Sequence, residues 1–249
     1  MSVDLFSSLS RRGFLVSAVA GAVGVALGGI AQAVAAADAS SAKIGIIGSG
    51  KIGGTLGELW LRAGHQVMFS SLDLEHDRAL AARLGAAAHA GTPREAAAFG
   101  EVLLISVPYA ALPQLGRDLA DAIKGKVLLD TCNPIPTRDG EMANAARAKG
   151  AGIASAELLP GARLVRAFNS VGYAKLQSEA HRAADPVAIP LAGDDEAALA
   201  IAARLVHEAG FAPVVVGSLA RAKDFDPGTP VFGKALTAAE LRRELGIKP

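Results

Sequence analysis

The chain holds one cysteine, Cys132, in 249 residues. A single thiol excludes an internal disulfide and any cysteine-rich zinc or iron–sulfur site. Aromatic residues are scarce, at 4%, so neither a carbohydrate cleft nor a stacking surface for bases is expected. Charge of one sign does not accumulate. The formal net charge is +1, which leaves no footprint for nucleic acid or an anionic membrane. The histidines, His65, His76, His89, His181 and His207, show no metal-type spacing and no nucleophile motif. No metal site is therefore expected. No Tyr-x-x-x-Lys pair of the carbonyl-reductase kind occurs either. What the chain does have is apolar: 51% hydrophobic residues and 28 glycines, enough for a large core of tightly packed helices on a sheet.

The first segment reads as a leader. Paired arginines, Arg11 and Arg12, precede an uncharged run from Gly13 to Ala37 that ends in small residues with A-x-A cleavage options. It resembles a twin-arginine export signal over residues 1–38. The run is long enough to span a membrane. Gly and Ala contribute little transfer energy, however, which favours cleavage over anchoring and predicts no stable membrane span. The expected location is periplasmic or extracellular, or cytoplasmic if the leader does not function.

From Lys43 onward, short apolar runs alternate with helical spacing. Strands are expected at 43–48, 66–70, 87–89, 101–107, 126–131, 163–168, 187–191 and 213–216. Helices are expected at 51–63, 75–84, 110–123, 140–149 and 194–209. This order predicts an α/β, Rossmann-type doubly wound, mostly parallel sheet with helices on both faces. Residues 42–218 form its dinucleotide-binding domain. Residues 219–249, a turn-rich loop and a short last helix, pack on the same domain.

The sharpest motif is Gly48-Ser49-Gly50-Lys51-Ile52-Gly53, set between the first strand and the first helix. Gly48 permits the tight turn, Gly50 lets a pyrophosphate approach the backbone, and Gly53 lets helix and strand pack closely. The helix start supplies free N–H groups and a partial positive charge, and Lys51 offers further charge. The next strand ends in Ser70-Ser71-Leu72, with no acid at its tip. A 2′-phosphate would not be repelled, and both serines can donate to it, which favours NADP. Asp73 follows closely and leaves NAD open, since an acid there takes the ribose hydroxyl. The two serines also suit the capping of the next helix.

No residue stands out as catalytic. Cys132 reads as a small core residue. Lys175 offers a dehydrogenase-like lysine, against a plain surface reading. The strand ends Ser106-Val107-Pro108, Cys132-Asn133-Pro134 and Asn169-Ser170-Val171 line the crevice expected of a parallel sheet. Asn133 and Asn169 are the groups best placed to orient a ring. Hydride exchange between two redox cofactors needs orientation rather than a base at carbon. The alternatives are a non-catalytic dinucleotide-binding module and a small-molecule dehydrogenase using Lys175. A homodimer stays open.

Taken together, Gly48–Gly54, Ser106-Val107-Pro108, Asp130-Thr131-Cys132-Asn133-Pro134 and Ala167-Phe168-Asn169 resemble the NADPH-dependent reductases of the deazaflavin coenzyme F420, over residues 42–249. The resemblance implies NADP on the glycine loop, with Gly48, Ser49, Gly50, Lys51 and Ile52 at the pyrophosphate and Ser71 at the 2′-phosphate. It implies Val107 and Pro108 along the dinucleotide, and Asn133 and Asn169 near a deazaflavin or flavin ring. Leu72 stands where those reductases have arginine, and Arg78 lies one helical turn beyond.

Overall fold

The computed structural model describes residues 41–248; the leader lies outside them. The chain begins with β1 (Lys43–Ile47), α1 (Lys51–Arg62), β2 (Gln66–Ser70), α2 (Leu74–Leu84), β3 (Ala88–Ala90), α3 (Pro93–Phe99) and β4 (Val102–Ile105). After a 3-10 turn at Tyr109–Ala111 come α4 (Leu112–Asp118), α5 (Ala120–Ile123) and β5 (Val127–Asp130). Then follow α6 (Pro136–Asp139), α7 (Glu141–Lys149), α8 (Ala151–Leu158), β6 (Arg163–Arg166) and α9 (Tyr173–Glu179). The last elements are β7 (Ala188–Gly193), α10 (Glu196–Glu208), β8 (Ala212–Gly217), a second 3-10 segment at Leu219–Phe225, and α11 (Ala238–Glu244).

One eight-stranded sheet runs in the order β3-β2-β1-β4-β5-β6-β7-β8. The pairings are parallel except β6 against β7, where Val165 faces Gly193 and Arg166 faces Ala192 in antiparallel register. A short α9 returns the chain beside β6 in the opposite direction, and β7-α10-β8 then makes its own parallel unit. The expected α/β sheet, mostly parallel, is thus present, with this one reversal.

Alternation along the central strands sends apolar side chains to both faces. Ile44, Ile46, Leu104 and Leu129 meet Leu56 and Trp60 of α1 and Ala202 and Leu205 of α10. Ile47, Leu103, Ile105 and Leu128 meet Ala97 of α3, Leu112 of α4 and Ala154 of α8. In α1, Leu56, Leu59 and Trp60 recur on one side and are buried. The Trp60 indole N–H donates to the Leu205 carbonyl at 2.9 Å, and its ring meets Phe168 edge-on at 6.2 Å. Phe225 and Leu241, from the segment after β8, fill a third cluster with Ala188 and Val214. No helix among the described residues is long and apolar enough to cross a membrane.

Three differences from the expected elements have local causes. The single helix expected over 110–123 is divided into a 3-10 turn and two short helices. Helix α3 was not expected, because its buried residues are only Ala96 and Ala97. It lies so close to β1 that a Cβ on Gly45 would fall 2.0 Å from the Ala96 carbonyl oxygen. Helix α8 was also not expected; its small residues pack against the 3-10 segment after β8, where a Cβ on Gly152 would meet that of Ala222 at 2.8 Å.

Candidate functional site

The strand order reverses between β1 and β4, and the glycine loop leaves β1 at that switch point, where open α/β sheets bind ligands. Gly48 adopts φ +103°, and a Cβ there would lie 2.2 Å from the Ser106 carbonyl oxygen, so both backbone and contact require glycine. The N–H groups of Gly48 and Ser49 donate to the Ser70 carbonyl at 2.8 and 3.0 Å, fixing the loop to the end of β2. A Cβ on Gly53 would approach the Gly48 carbonyl oxygen to 2.0 Å. Gly50 differs: nothing lies within 4 Å of where its Cβ would be. It is the N-cap of α1 and no side chain caps that helix. The leading N–H groups of α1 therefore have no protein acceptor from a capping side chain. Open space against bare backbone at a helix start fits a pyrophosphate.

The side chains around this cradle are engaged with one another. The buried Ser49 hydroxyl donates to Asp77 Oδ1, and the Ser71 hydroxyl donates to Asp77 Oδ2 at 2.9 Å. Ser70, fully buried, donates to the Ile46 carbonyl at 2.7 Å. The protons that the sequence offers to a phosphate are thus donated within the protein. Lys51 places its ammonium over the Tyr173 ring, 4.7 Å from the centroid, and donates to the Tyr173 hydroxyl at 3.3 Å. Ile52 is half-buried against the core. On the other side of the loop, Ser106 and Val107 are half-buried and Pro108 is exposed; a Cβ on Gly48 would also meet Val107 Cγ1 at 2.9 Å.

Beyond β4, the ends of β5 and β6 carry a network that sequence reading did not anticipate. Arg166, fully buried, donates to Asp130 Oδ2 at 2.9 Å, Asn133 Oδ1 at 2.8 Å, Asp226 Oδ1 at 3.0 Å and the Cys132 carbonyl. Burial pulls its guanidinium down, but the Asp130 and Asp226 carboxylates outweigh that and raise it. Asn133 Nδ2 donates to the Asn169 carbonyl at 2.8 Å, and Asn169 Nδ2 to the Phe225 carbonyl at 3.3 Å. Asn133 and Asn169 are therefore brought together, each oriented by Arg166 or by the Phe225–Asp226 corner. Among the described residues, two buried side-chain polar atoms are left without a partner, Asn169 Oδ1 and Arg166 Nε. Phe168, just before Asn169, holds φ +57°, a conformation costing about 1–3 kcal/mol in a bulky residue; its ring is held by Trp60 and Phe211. Asp139 joins the crevice walls by accepting from Ile135 N–H, Ala110 N–H and Arg138. Burial pushes its carboxyl up, but those donors hold it below the usual range.

Acid–base candidates are withdrawn from this crevice. Burial, then the nearby Asp130 charge, pushes the Cys132 thiol well above its ordinary value. Disulfide-exchange reagents near pH 8 are expected to leave the native protein unlabelled and to titrate a single thiol after unfolding; rapid native labelling would contradict the burial. Burial also pushes the Tyr109 phenol up to about 12. Lys175 is exposed on α9 and donates to the Gly233 carbonyl at 2.7 Å. Among the described residues no group of three or more metal-ligating side chains occurs.

The comparisons support a class: an NAD(P)-dependent oxidoreductase built on a Rossmann-like sheet. Residues 43–134, β1 to just past β5, match the family described as NADP oxidoreductase, coenzyme F420-dependent. The chain is similar to the hypothetical protein SMa0349 of Sinorhizobium meliloti at 25% identity and TM-score 0.67, covering 80% of this chain and 96% of that one. It is also similar in fold to a protein of Arthrobacter sp. FB24 provisionally assigned as an F420-dependent NADP-reductase. That likeness has 22% identity and TM-score 0.63, over 74% of this chain and 88% of that one. The 3-hydroxyisobutyrate dehydrogenase of Mycobacterium tuberculosis shares the fold at 19% identity and TM-score 0.54, but only 57% of that chain is covered.

Proposed function

We propose that the protein moves hydride between a nicotinamide dinucleotide and a second redox cofactor of the deazaflavin or flavin type. One observation carries the reading: an open, uncapped helix start at Gly50, set at the topological switch point. The backbone N–H groups of Lys51 and Ile52 would hold the pyrophosphate. Gly48, Ser106 and Val107 would bound its path toward the ends of β4 and β5. When bound, the dinucleotide supplies the hydride-bearing ring. Asn133 and Asn169, locked by Arg166 and the Asp226 corner, would orient that ring, and the unpartnered Asn169 Oδ1 is an acceptor for its carboxamide.

The strand-end side chains bind one another and the Cys132 thiol stays protonated, so the protein's part is orientation and exclusion of water rather than proton transfer at carbon. The family description, which names both NADP and coenzyme F420, supports a two-cofactor reaction. The leader reading adds a location: export of an already folded, cofactor-loaded protein.

Anaerobic mixing with NADH or NADPH and, separately, with coenzyme F420, FMN or FAD tests the reading. Nicotinamide oxidation coupled to reduction of at least one acceptor is expected. No turnover with any combination would overturn it.

A further inference from the structure

We infer that the adenosine end of this site selects NAD(H) over NADP(H), a specificity opposite to the one its family description names. The inference rests on the reading of Gly48–Gly53 as a dinucleotide cradle and concerns only its 2′-position.

A 2′-phosphate needs proton donors and positive charge where β2 ends. The serines there have neither to give. A hydroxyl has one proton. That of Ser70 goes to the Ile46 carbonyl, inside the sheet. That of Ser71 goes to Asp77 Oδ2 at 2.9 Å, closer than the Asp73 carbonyl at 3.2 Å, and the same oxygen accepts the Asp73 N–H at 3.1 Å. That of Ser49 goes to the other oxygen of Asp77.

Behind these hydroxyls lies the charge itself. Asp77 is fully buried in the first turn of α2, where the helix start favours an anion. Among the described residues no lysine, arginine or histidine is paired with it. A phosphate set on Ser71 would face a buried carboxylate through a single hydroxyl, in a setting where like charges are poorly screened.

The arginines of α2 and α3 are engaged with other groups. Leu72, wholly exposed, contributes no charge. Arg78 pairs with Glu75 at 2.5 Å. Arg94 donates to the Asp118 carbonyl.

The same corner suits an unmodified ribose. Asp73 lies three residues past the end of β2, exposed, and is the N-cap of α2, its Oδ1 accepting the His76 N–H at 3.0 Å. A carboxylate in that place accepts hydrogen bonds from ribose hydroxyls and repels a phosphate. Asp77, through Ser49 and Ser71, ties the glycine loop to the β2 tip and so positions Asp73; it acts as a positioning residue.

Calorimetric titration of the full chain with NAD+ and NADP+ tests the inference, with thermal melting to confirm that variants fold. Wild type is expected to bind NAD+ at least about tenfold more tightly, the lower range for one hydrogen bond to a charged group. Asp73→Ala should weaken NAD+ by about tenfold and NADP+ by less than about twofold. Leu72→Arg should strengthen NADP+ by about tenfold and leave NAD+ within about twofold. Both positions are exposed, so neither variant burdens the core. Equal or tighter wild-type binding of NADP+ would overturn the inference, as would an Asp73→Ala variant with an unchanged NAD+/NADP+ ratio; either outcome leaves the cradle intact. Failure of both nucleotides to bind would overturn the dinucleotide reading and this inference with it.

Discussion

Gly50→Asp is expected to abolish dinucleotide binding while the protein melts at the wild-type temperature or about 1 °C above it. The two effects separate because of where Gly50 sits. It is exposed, with φ −64° and ψ −159°, a conformation open to any residue. No atom lies within 4 Å of the Cβ that a substitution would add. Aspartate is also a better N-cap than glycine by a few tenths of a kcal/mol, so α1 gains slightly. The same carboxylate would occupy the space of a pyrophosphate and meet it with like charge. That costs several kcal/mol, or more than about 100-fold in affinity.

Gly53→Ala is the control with the opposite balance. Its methyl would fall 2.0 Å from the Gly48 carbonyl oxygen and 3.0 Å from Ile46 Cγ2. Overpacking of this kind costs about 1–3 kcal/mol, a drop of several degrees at about 2–4 °C per kcal/mol for a chain of this size. Calorimetry for binding and differential scanning for melting read both. Retained affinity in Gly50→Asp would remove the cradle from the functional account.

The contrast between these glycines shows what a sequence can disclose. Gly48 is demanded by its φ of +103° and Gly53 by the Gly48 carbonyl five residues back, so the motif and its role can be read locally, although Gly48 also abuts Ser106 from the end of β4. The central strands can be read the same way, because Leu103, Leu104, Leu128 and Leu129 are buried on both faces and leave a continuous apolar run. Helix α3 escapes that reading: with alanines as its buried residues it shows no apolar stripe, and its local signals are the Thr92–Glu95 capping box and Pro93 at its start. The direction of β7 escapes too, since an apolar run has the same pattern whichever way it pairs. Asp77 sits in the helix expected over 75–84, and one of its partners, Ser49, lies 28 residues back in the glycine loop. The Arg166 network is the extreme case. Its partners lie 36 residues back at Asp130 and 60 residues on at Asp226, so no window of sequence contains it.

That network sets the second large effect. Arg166→Met is expected to lower the melting temperature by about 6–20 °C. Methionine roughly keeps the aliphatic stem but leaves Asp130, fully buried, and Asp226, mostly buried, with no counter-charge. Removing one member of a buried ionic group costs about 3–5 kcal/mol, because the remaining charges have lost their solvent and their partner; the range in temperature follows from the chain length.

Arg166→Lys distinguishes charge from geometry. One ammonium keeps the charge but cannot reach Asp130, Asp226, Asn133 and the Cys132 carbonyl together, as the planar guanidinium does. It should recover part of the lost stability and leave Asn133 and Asn169 loosely held. Adding Asp130→Asn to Arg166→Met should recover part as well, by removing the stranded charge. A melting temperature within about 2 °C of wild type in Arg166→Met would show that the crevice floor is held by packing rather than by this arginine. Because the glycine cradle lies on β1 and α1 and the arginine on β6, dinucleotide affinity in Arg166→Lys should fall less than tenfold while turnover falls further. That is the pattern of a residue that orients a ring it does not bind.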